Sequence, residues 1–394
     1  MRVLVAPDCF TGTLTAGQAA AAMADGWHDH APADEVEQVP LSDGGPGFVD
    51  VMAATSPGQR RIVTVCGPLG EPVPAEVLLL PGPDGPTAVV EAAQACGLHL
   101  VPAERRDPAL TTTRGVGDLL LAAREAGARR IVVGLGGTAT NDAGAGMLAR
   151  LLAAAAPERG EPFWGGGGGR LLGVGAADLA GLETLAAHWR GIRIVAAADV
   201  DVPLLGFHGA SAAFAAQKGA SPAQAQHLER CLGDFAAAAE AVGAGLDPLA
   251  LDRAARRSAA PHAGAGGGLG YGLMLLGGRA QSGAAWIVDA VGLTARAAAA
   301  DLVLTGEGCL DWQSLRGKVV AGVAAACREL TTPVVAVAGQ VDLGRREAQA
   351  AGIEASYAVA RTAAEVAQSL ADPAPRLRAT VARVARTWSR PASG

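Results

Sequence analysis

The stretch Gly134-Leu135-Gly136-Gly137-Thr138-Ala139-Thr140-Asn141-Asp142 concentrates the features that an anion site needs. Glycines let a backbone approach a ligand closely, and the N–H groups at a helix start, with their partial positive charge, stabilise phosphate oxygens. Thr140, Asn141 and Asp142 are all good caps for a helix that should run to about Ala155. The chemistry expected here is the holding of a phosphorylated small molecule, with Gly136, Gly137, Thr138, Thr140 and Asn141 as the binding residues. A tight structural turn is the plain alternative. Gly134, Gly136 and Ala139 also satisfy the G-x-G-x-x-G/A pattern of dinucleotide sites, which would make the protein a NAD-type dehydrogenase. That pattern wants an acid about twenty positions on, where this chain has Pro157-Glu158-Arg159-Gly160. A G-x-x-x-x-G-K-[ST] loop is absent, because Gly317-Lys318 is followed by Val319 and Trp312 stands five positions before Gly317.

Carboxylates recur at the ends of short apolar runs: Asp8, Asp43, Asp199 with Asp201, and Glu307 with Asp311. In parallel α/β folds those ends line the ligand crevice. Magnesium prefers a few carboxylates together with phosphate oxygens, which suits Asp199, Asp201, Glu307 and Asp311 as metal ligands. Asp8 or Asp43 could orient or deprotonate an attacking hydroxyl. Each acid taken singly also reads as a turn or cap residue.

Of the 32 basic residues only Lys218 and Lys318 are lysines. A lysine kept in an arginine background suggests a need for a compact ammonium, at a phosphate or in proton transfer. Lys318 follows Glu307 and Asp311 where a helix begins, and could reach a transferring phosphate. Lys218, ahead of a capped helix, reads equally as a surface lysine. The glycine-dense run 263–270 reads as a second phosphate loop or a hinge.

The elements that must position these groups follow from patterning. Short segments at 2–6, 36–40, 302–305, 334–338 and 355–358 read as parallel strands, with helices from near Thr15, over 315–328 and over 376–388. Together they make one doubly wound sheet. Between them, 61–65 and 77–80 resemble a hairpin, followed by strands at 89–92, 131–134 and 192–198 and a helix over 223–242. The expected division is a doubly wound α/β domain from 1–60 plus 285–394 and an inserted mixed α/β domain over 61–284, with a cleft between them as the default ligand site. The glycine run 165–169 reads as a flexible loop.

A chain of 394 residues with 50% hydrophobic and 18% charged residues is ordered and long enough for two cores. Its formal net charge of -6 offers no basic footprint for nucleic acid. The apolar run ended by Pro7 is too brief for a signal peptide or a membrane span, which points to the cytoplasm. Six scattered cysteines with no C-x-x-C indicate neither a disulfide framework nor a zinc site. A small-molecule substrate is the expected partner, with homo-oligomerisation open.

Taken in order, these blocks resemble the bacterial glycerate kinases that phosphorylate D-glycerate with ATP. Ala6-Pro7-Asp8-Cys9-Phe10 is similar to their A-P-D-S-F, Asp43-Gly44-Gly45 to A-D-G-G-E-G-T, and Thr111-Thr112-Thr113 to T-T-T/S. The segment 134–146 is similar to G-I-G-G-S-A-T-N-D-G-G-A-G, 209–221 to G-A-S…Q-K-G-A-S, and 305–318 to T-G-E-G-R-L-D…Q-S…G-K. The resemblance extends over nearly the whole chain. It implies a flavodoxin-like domain, a second restriction-endonuclease-like domain, magnesium-ATP as donor, and 2-phosphoglycerate or 3-phosphoglycerate as product.

The chain departs from those patterns at Thr11 for lysine, Pro46 and Phe48 for glutamate and threonine, Val202 for asparagine and Cys309 for arginine. Two cations are thereby lost from the expected site, and glycerate is a carboxylate. A related hydroxy compound as acceptor, or a member that binds a nucleotide or metabolite without turnover, are the accompanying readings.

Overall fold

The computed structural model describes residues 1–243, 257–315 and 317–389. Arg316, within the helix expected over 315–328, lies outside them, as does 244–256 of the expected middle domain. The chain divides by its contacts into two compact units: Met1–Asp43, Asp50–Ser56 and Ser282–Gly394 form one, Gly44–Val49 and Pro57–Gln281 the other.

The first unit is built on a five-stranded, wholly parallel sheet in the order Ala355–Ala358, Val334–Ala338, Leu302–Thr305, Arg2–Val5, Glu35–Gln38. Counted along the chain within this sheet, the strand order is 2-1-3-4-5, which is the flavodoxin-like doubly wound arrangement. Alternation explains how both faces are covered. Val335 and Val337 pack with Trp27, Met23, Leu377 and Val381. Ala336 and Ala338, the alternate residues of the same strand, pack with Leu310, Val320 and Ala324. The helix Ala16–His28 starts on a capping box, in which Thr15 Oγ1 accepts from Gln18 N and Gln18 Oε1 accepts from Thr15 N. The helix expected from 315 instead starts at Val319. The residues ahead of it are drawn into a turn by Asp311 Oδ1, which accepts from Gln313 N and Ser314 N at 2.8 and 3.1 Å.

The second unit has a six-stranded mixed sheet in chain order: Gln59–Cys66, Pro72–Leu80, Thr87–Glu91, Arg130–Gly134, Arg193–Ala197, Arg279–Gln281. The first two pairings are antiparallel and the other three parallel. The edges of the units depart from the expected 60 and 285. Gln59 already pairs opposite Leu79, which puts the start of the hairpin in the second unit. Ser282 caps the helix Gly283–Ala290 of the first, its Oγ accepting from Ala285 N.

The run 165–169 is a correction to the flexible-loop reading. It forms short 3-10 turns, and a Cβ on Gly168 would lie 2.2 Å from Asn141 O. A glycine run has the same composition whether it is free or pressed against another backbone, so tertiary packing decides. Among the described residues no helix is long and apolar enough to cross a membrane.

Candidate functional site

In the first unit, three acids stand at the carboxyl ends of adjacent parallel strands. Asp8 N donates to Gly306 O at 2.8 Å, and Leu41 N to Pro7 O at 2.9 Å. These bonds continue the ladders past the strand ends and draw together the segments that carry Asp8, Asp43 and Glu307. Burial, the Asp43 charge and, more weakly, the Glu307 charge hold the Asp8 carboxyl well above the usual carboxylate range. Glu307 is pushed up to about 7, chiefly by burial, against the pull of Ser314 and Lys318. Its Oε1 is buried without a partner. Lys318 is half-buried at the N-cap of Val319–Cys327, and Asp311 is half-buried with one oxygen committed to its own turn.

In the second unit, the strand Arg130–Gly134 delivers the segment 135–144, after which the helix Ala145–Ala155 begins, later than a cap at Thr140–Asp142 would place it. Asp142 explains the delay. Its carboxylate is fully buried and accepts from Thr113 N and Thr113 Oγ1, both at 2.9 Å, from Gly144 N at 3.1 Å and from Gly146 N at 3.2 Å. It therefore caps two helices at once, Ala145–Ala155 and Arg114–Glu125. Burial still raises its pKa, with those four donors acting against the rise. Thr111 Oγ1 donates to Ala139 O and Thr112 Oγ1 to Gly165 O, each at 2.8 Å. The Thr111-Thr112-Thr113 run is thus the brace of the loop.

The glycine run 263–270 braces it from another side. Gly266, Gly267 and Gly268 have φ of 62, 68 and 91°. A Cβ on Gly267 would lie 1.9 Å from Thr140 O, and Ala143 N donates to Gly267 O at 3.1 Å. Within the loop, the amides of Gly136 and Ala139 are occupied by Gly44 O and Cys96 O. Among the described residues the amides of Gly137, Thr138, Thr140 and Asn141 have no acceptor. Asn141 is fully buried; its Nδ2 donates to Ser211 Oγ at 3.0 Å while its Oδ1 has no partner.

Lys218 is 3% exposed, contrary to its surface reading. Its Nζ donates to Thr140 O at 2.6 Å and lies 3.5 Å from Thr138 Oγ1. Glu91, which patterning did not single out, is also buried; it ends the strand Thr87–Glu91 and accepts from Gly47 N at 3.0 Å. Its signal in sequence is that of Asp8 and Glu307, an acid at a strand end. Of the acids read as metal ligands, Glu307 and Asp311 stand in the first unit, whereas half-buried Asp199 and exposed Asp201 stand in the second. Among the described residues no three His, Cys, Asp or Glu side chains are grouped so as to hold a metal by themselves.

The sequence pattern described as "Glycerate kinase family" matches residues 3–389. The chain belongs to the glycerate kinase family. A protein of Mycobacterium bovis described as uncharacterized is 43% identical over 98% of this chain and 91% of its own length. Glycerate 2-kinase of Escherichia coli K12 is 39% identical over 91% of this chain and 90% of that protein. A solved structure of a Salmonella typhimurium LT2 protein, provisionally described as glycerate kinase 2, superposes with a TM-score of 0.74 at 32% identity, covering 98% of each chain. A glycerate kinase relationship makes this a kinase-type enzyme, and sets aside the dehydrogenase reading of Gly134, Gly136 and Ala139.

The acid cluster of this family member makes its stability depend on pH. Asp8 and Glu307 have raised pKa values in the folded chain, so their contribution is fully present below the ordinary carboxylate range. It is lost as pH rises through the raised values, about 7 for Glu307. The melting temperature of chelator-treated protein is expected to fall between about pH 5 and pH 8, and Glu307→Gln to remove on the order of 2 kcal/mol of that fall. An unchanged slope in the variant would place the titration elsewhere.

Proposed function

We propose that this chain is an ATP-dependent phosphotransferase that phosphorylates a hydroxyl of D-glycerate or a closely related small hydroxy compound. The observation that carries the reading is the braced loop 134–146, whose four acceptor-free amides suit the oxygens of a phosphate. The amides of Gly137, Thr138, Thr140 and Asn141 would hold the donor's phosphates; Gly136, also expected to bind, instead donates its amide to Gly44 O and closes the turn. Asp8 or Asp43 would orient the acceptor hydroxyl and take up its proton; a carboxyl with a raised pKa, as at Asp8, is the better base. Lys318 would offset charge that develops on the transferred group.

The donor set fits a hard divalent cation. Glu307 brings a buried, unpartnered oxygen beside other carboxylates, and magnesium needs only one or two protein ligands when phosphate oxygens complete its shell. Glu307 and Asp311 are the proposed ligands in the first unit, and Asp199 and Asp201 remain ligand candidates of the second taken by itself. When bound, magnesium supplies charge neutralisation of the phosphate oxygens. Positioning and electrostatics do most of the work in such transfers, so each of these side chains acts by place and charge.

The test is ADP release with D-glycerate and with uncharged polyols. D-Glycerate is expected to be used, and Asp8→Asn, Asp43→Asn and Lys318→Ala to lower kcat by about 10²–10⁴-fold. Parental rates in all three would remove these assignments. A second reading, a member that binds ATP without turning it over, is favoured by Cys309. Its half-buried thiol lies 3.8 Å from Asp342 Oδ2, at the position where the resembled pattern carries an arginine. ATP binding with no turnover on any acceptor would favour that reading.

A further inference from the structure

We propose that Lys218 is the positioning cation of the phosphate loop, acting on a bound polyphosphate through the Thr140–Asn141 peptide and the Thr138 hydroxyl rather than by touching it. This rests on the nucleotide reading above. The argument begins with an imbalance of charge. An ammonium at 3% exposure is costly unless paired, and among the described residues no carboxylate lies within salt-bridge distance of its Nζ. Its partners are two neutral oxygens, Thr140 O at 2.6 Å and Thr138 Oγ1 at 3.5 Å. The carboxylate that acts on it from the neighbouring segment is Asp142, whose oxygens already accept four bonds; the Cys96 thiol is the other titratable group facing it. Within this unit the charge is therefore without its counterion.

Both neutral partners are relays toward the loop. The Thr140 carbonyl belongs to the peptide whose N–H is that of Asn141, one of the acceptor-free amides. A bond donated to the carbonyl end polarises the peptide and strengthens the N–H at its other end. Thr138 Oγ1, in accepting from Lys218, must turn its own proton elsewhere, and no acceptor for it is present among the described residues. The Gly267 backbone packs onto the same Thr140 carbonyl and prevents it from turning away from Nζ. A polyanion at the loop supplies the missing counterion.

Burial holds the unliganded Lys218 down to about 8, although Cys96 and Asp142 act against the fall. An anion bound at the loop raises it again, so binding near pH 8 takes up a proton. The experiment is calorimetric titration of the full chain with ATP and excess magnesium at about pH 8, in two buffers of different ionisation enthalpy. The parent is expected to take up about half a proton per ATP. Lys218→Met should take up none and bind ATP on the order of 30-fold more weakly, and Lys218→Arg should recover affinity without the proton. The melting temperature of unliganded Lys218→Met should equal or exceed that of the parent, because a buried unpaired charge is removed. A purely structural lysine would lower that temperature and leave proton uptake unchanged. Parent-like uptake in Lys218→Met, or none in the parent, overturns the proposal. A parent that binds no ATP overturns the nucleotide reading with it, whereas a parent that turns over ATP with Lys218→Met at its side overturns this inference alone.

Discussion

Asp142→Ala is expected to lower the stability of the protein by about 3–5 kcal/mol and, under the proposed function, to abolish phosphoryl transfer from ATP. The removed carboxylate leaves four buried donors, Thr113 N, Thr113 Oγ1, Gly144 N and Gly146 N, without an acceptor. Each unsatisfied donor costs about 1–3 kcal/mol before relaxation, and relaxation here means separating two helix starts. Thermal unfolding followed by circular dichroism checks this: a loss on the order of 10 °C is expected for a unit of this size. Asp142→Asn keeps the shape and can still accept, but brings an NH₂ among donors; it should fall between the parent and the alanine variant. A melting temperature unchanged in Asp142→Ala would mean that Thr113 and the two glycine amides find other partners, and that the two helix starts are independent.

Gly267→Ala should have the largest effect on ligand affinity of any single methyl group in the loop's surroundings. The added carbon would lie 1.9 Å from Thr140 O and 2.7 Å from Thr140 C, both backbone atoms, at a residue with φ of +68°. The loop must move, and with it the carbonyl that receives Lys218. If ATP is the ligand, as proposed, its affinity is expected to drop by at least about 100-fold, measured by equilibrium binding. Gly173→Ala is the control, since Gly173 has φ of +73° with nothing within 4 Å of the added carbon. It carries the backbone strain without the collision and should cost about 1 kcal/mol of stability with affinity unchanged. Equal losses of affinity in the two variants would trace the effect to strain alone.

These two positions also mark where reading the chain residue by residue stops. The strand at 334–338 was legible to the residue because a parallel strand covered on both faces is apolar throughout, and an uninterrupted run such as Val-Val-Ala-Val-Ala has few other uses. Thr15 was legible because a capping box is local, complete within four residues. Asp142 reads from sequence as a cap for the helix that follows it. That it also caps Arg114–Glu125 depends on a segment nearly thirty residues earlier. The runs 165–169 and 263–270 look alike in composition; one reads as loose and the other as a loop or hinge, yet both are pressed against the backbone of 140–143. Lys218 stands out in sequence as one of two lysines among arginines and as part of the Gln217-Lys218-Gly219-Ala220-Ser221 block, and neither signal tells that it is buried. Its burial arises from contacts with Thr138 and Thr140 that no local pattern encodes.

The placement of Arg2–Val5 in the first sheet sets an order of events during synthesis. That strand is interior, with Glu35–Gln38 on one side and Leu302–Thr305 on the other. Its second neighbour leaves the ribosome only after the whole of the middle unit, on the order of tens of seconds later at ordinary elongation rates. The middle unit, whose six strands lie in one unbroken stretch of chain, can fold meanwhile. The nascent N-terminal strand pair waits with an open apolar edge, which makes chaperone capture or aggregation of chains halted before residue 302 the natural hazard of this topology.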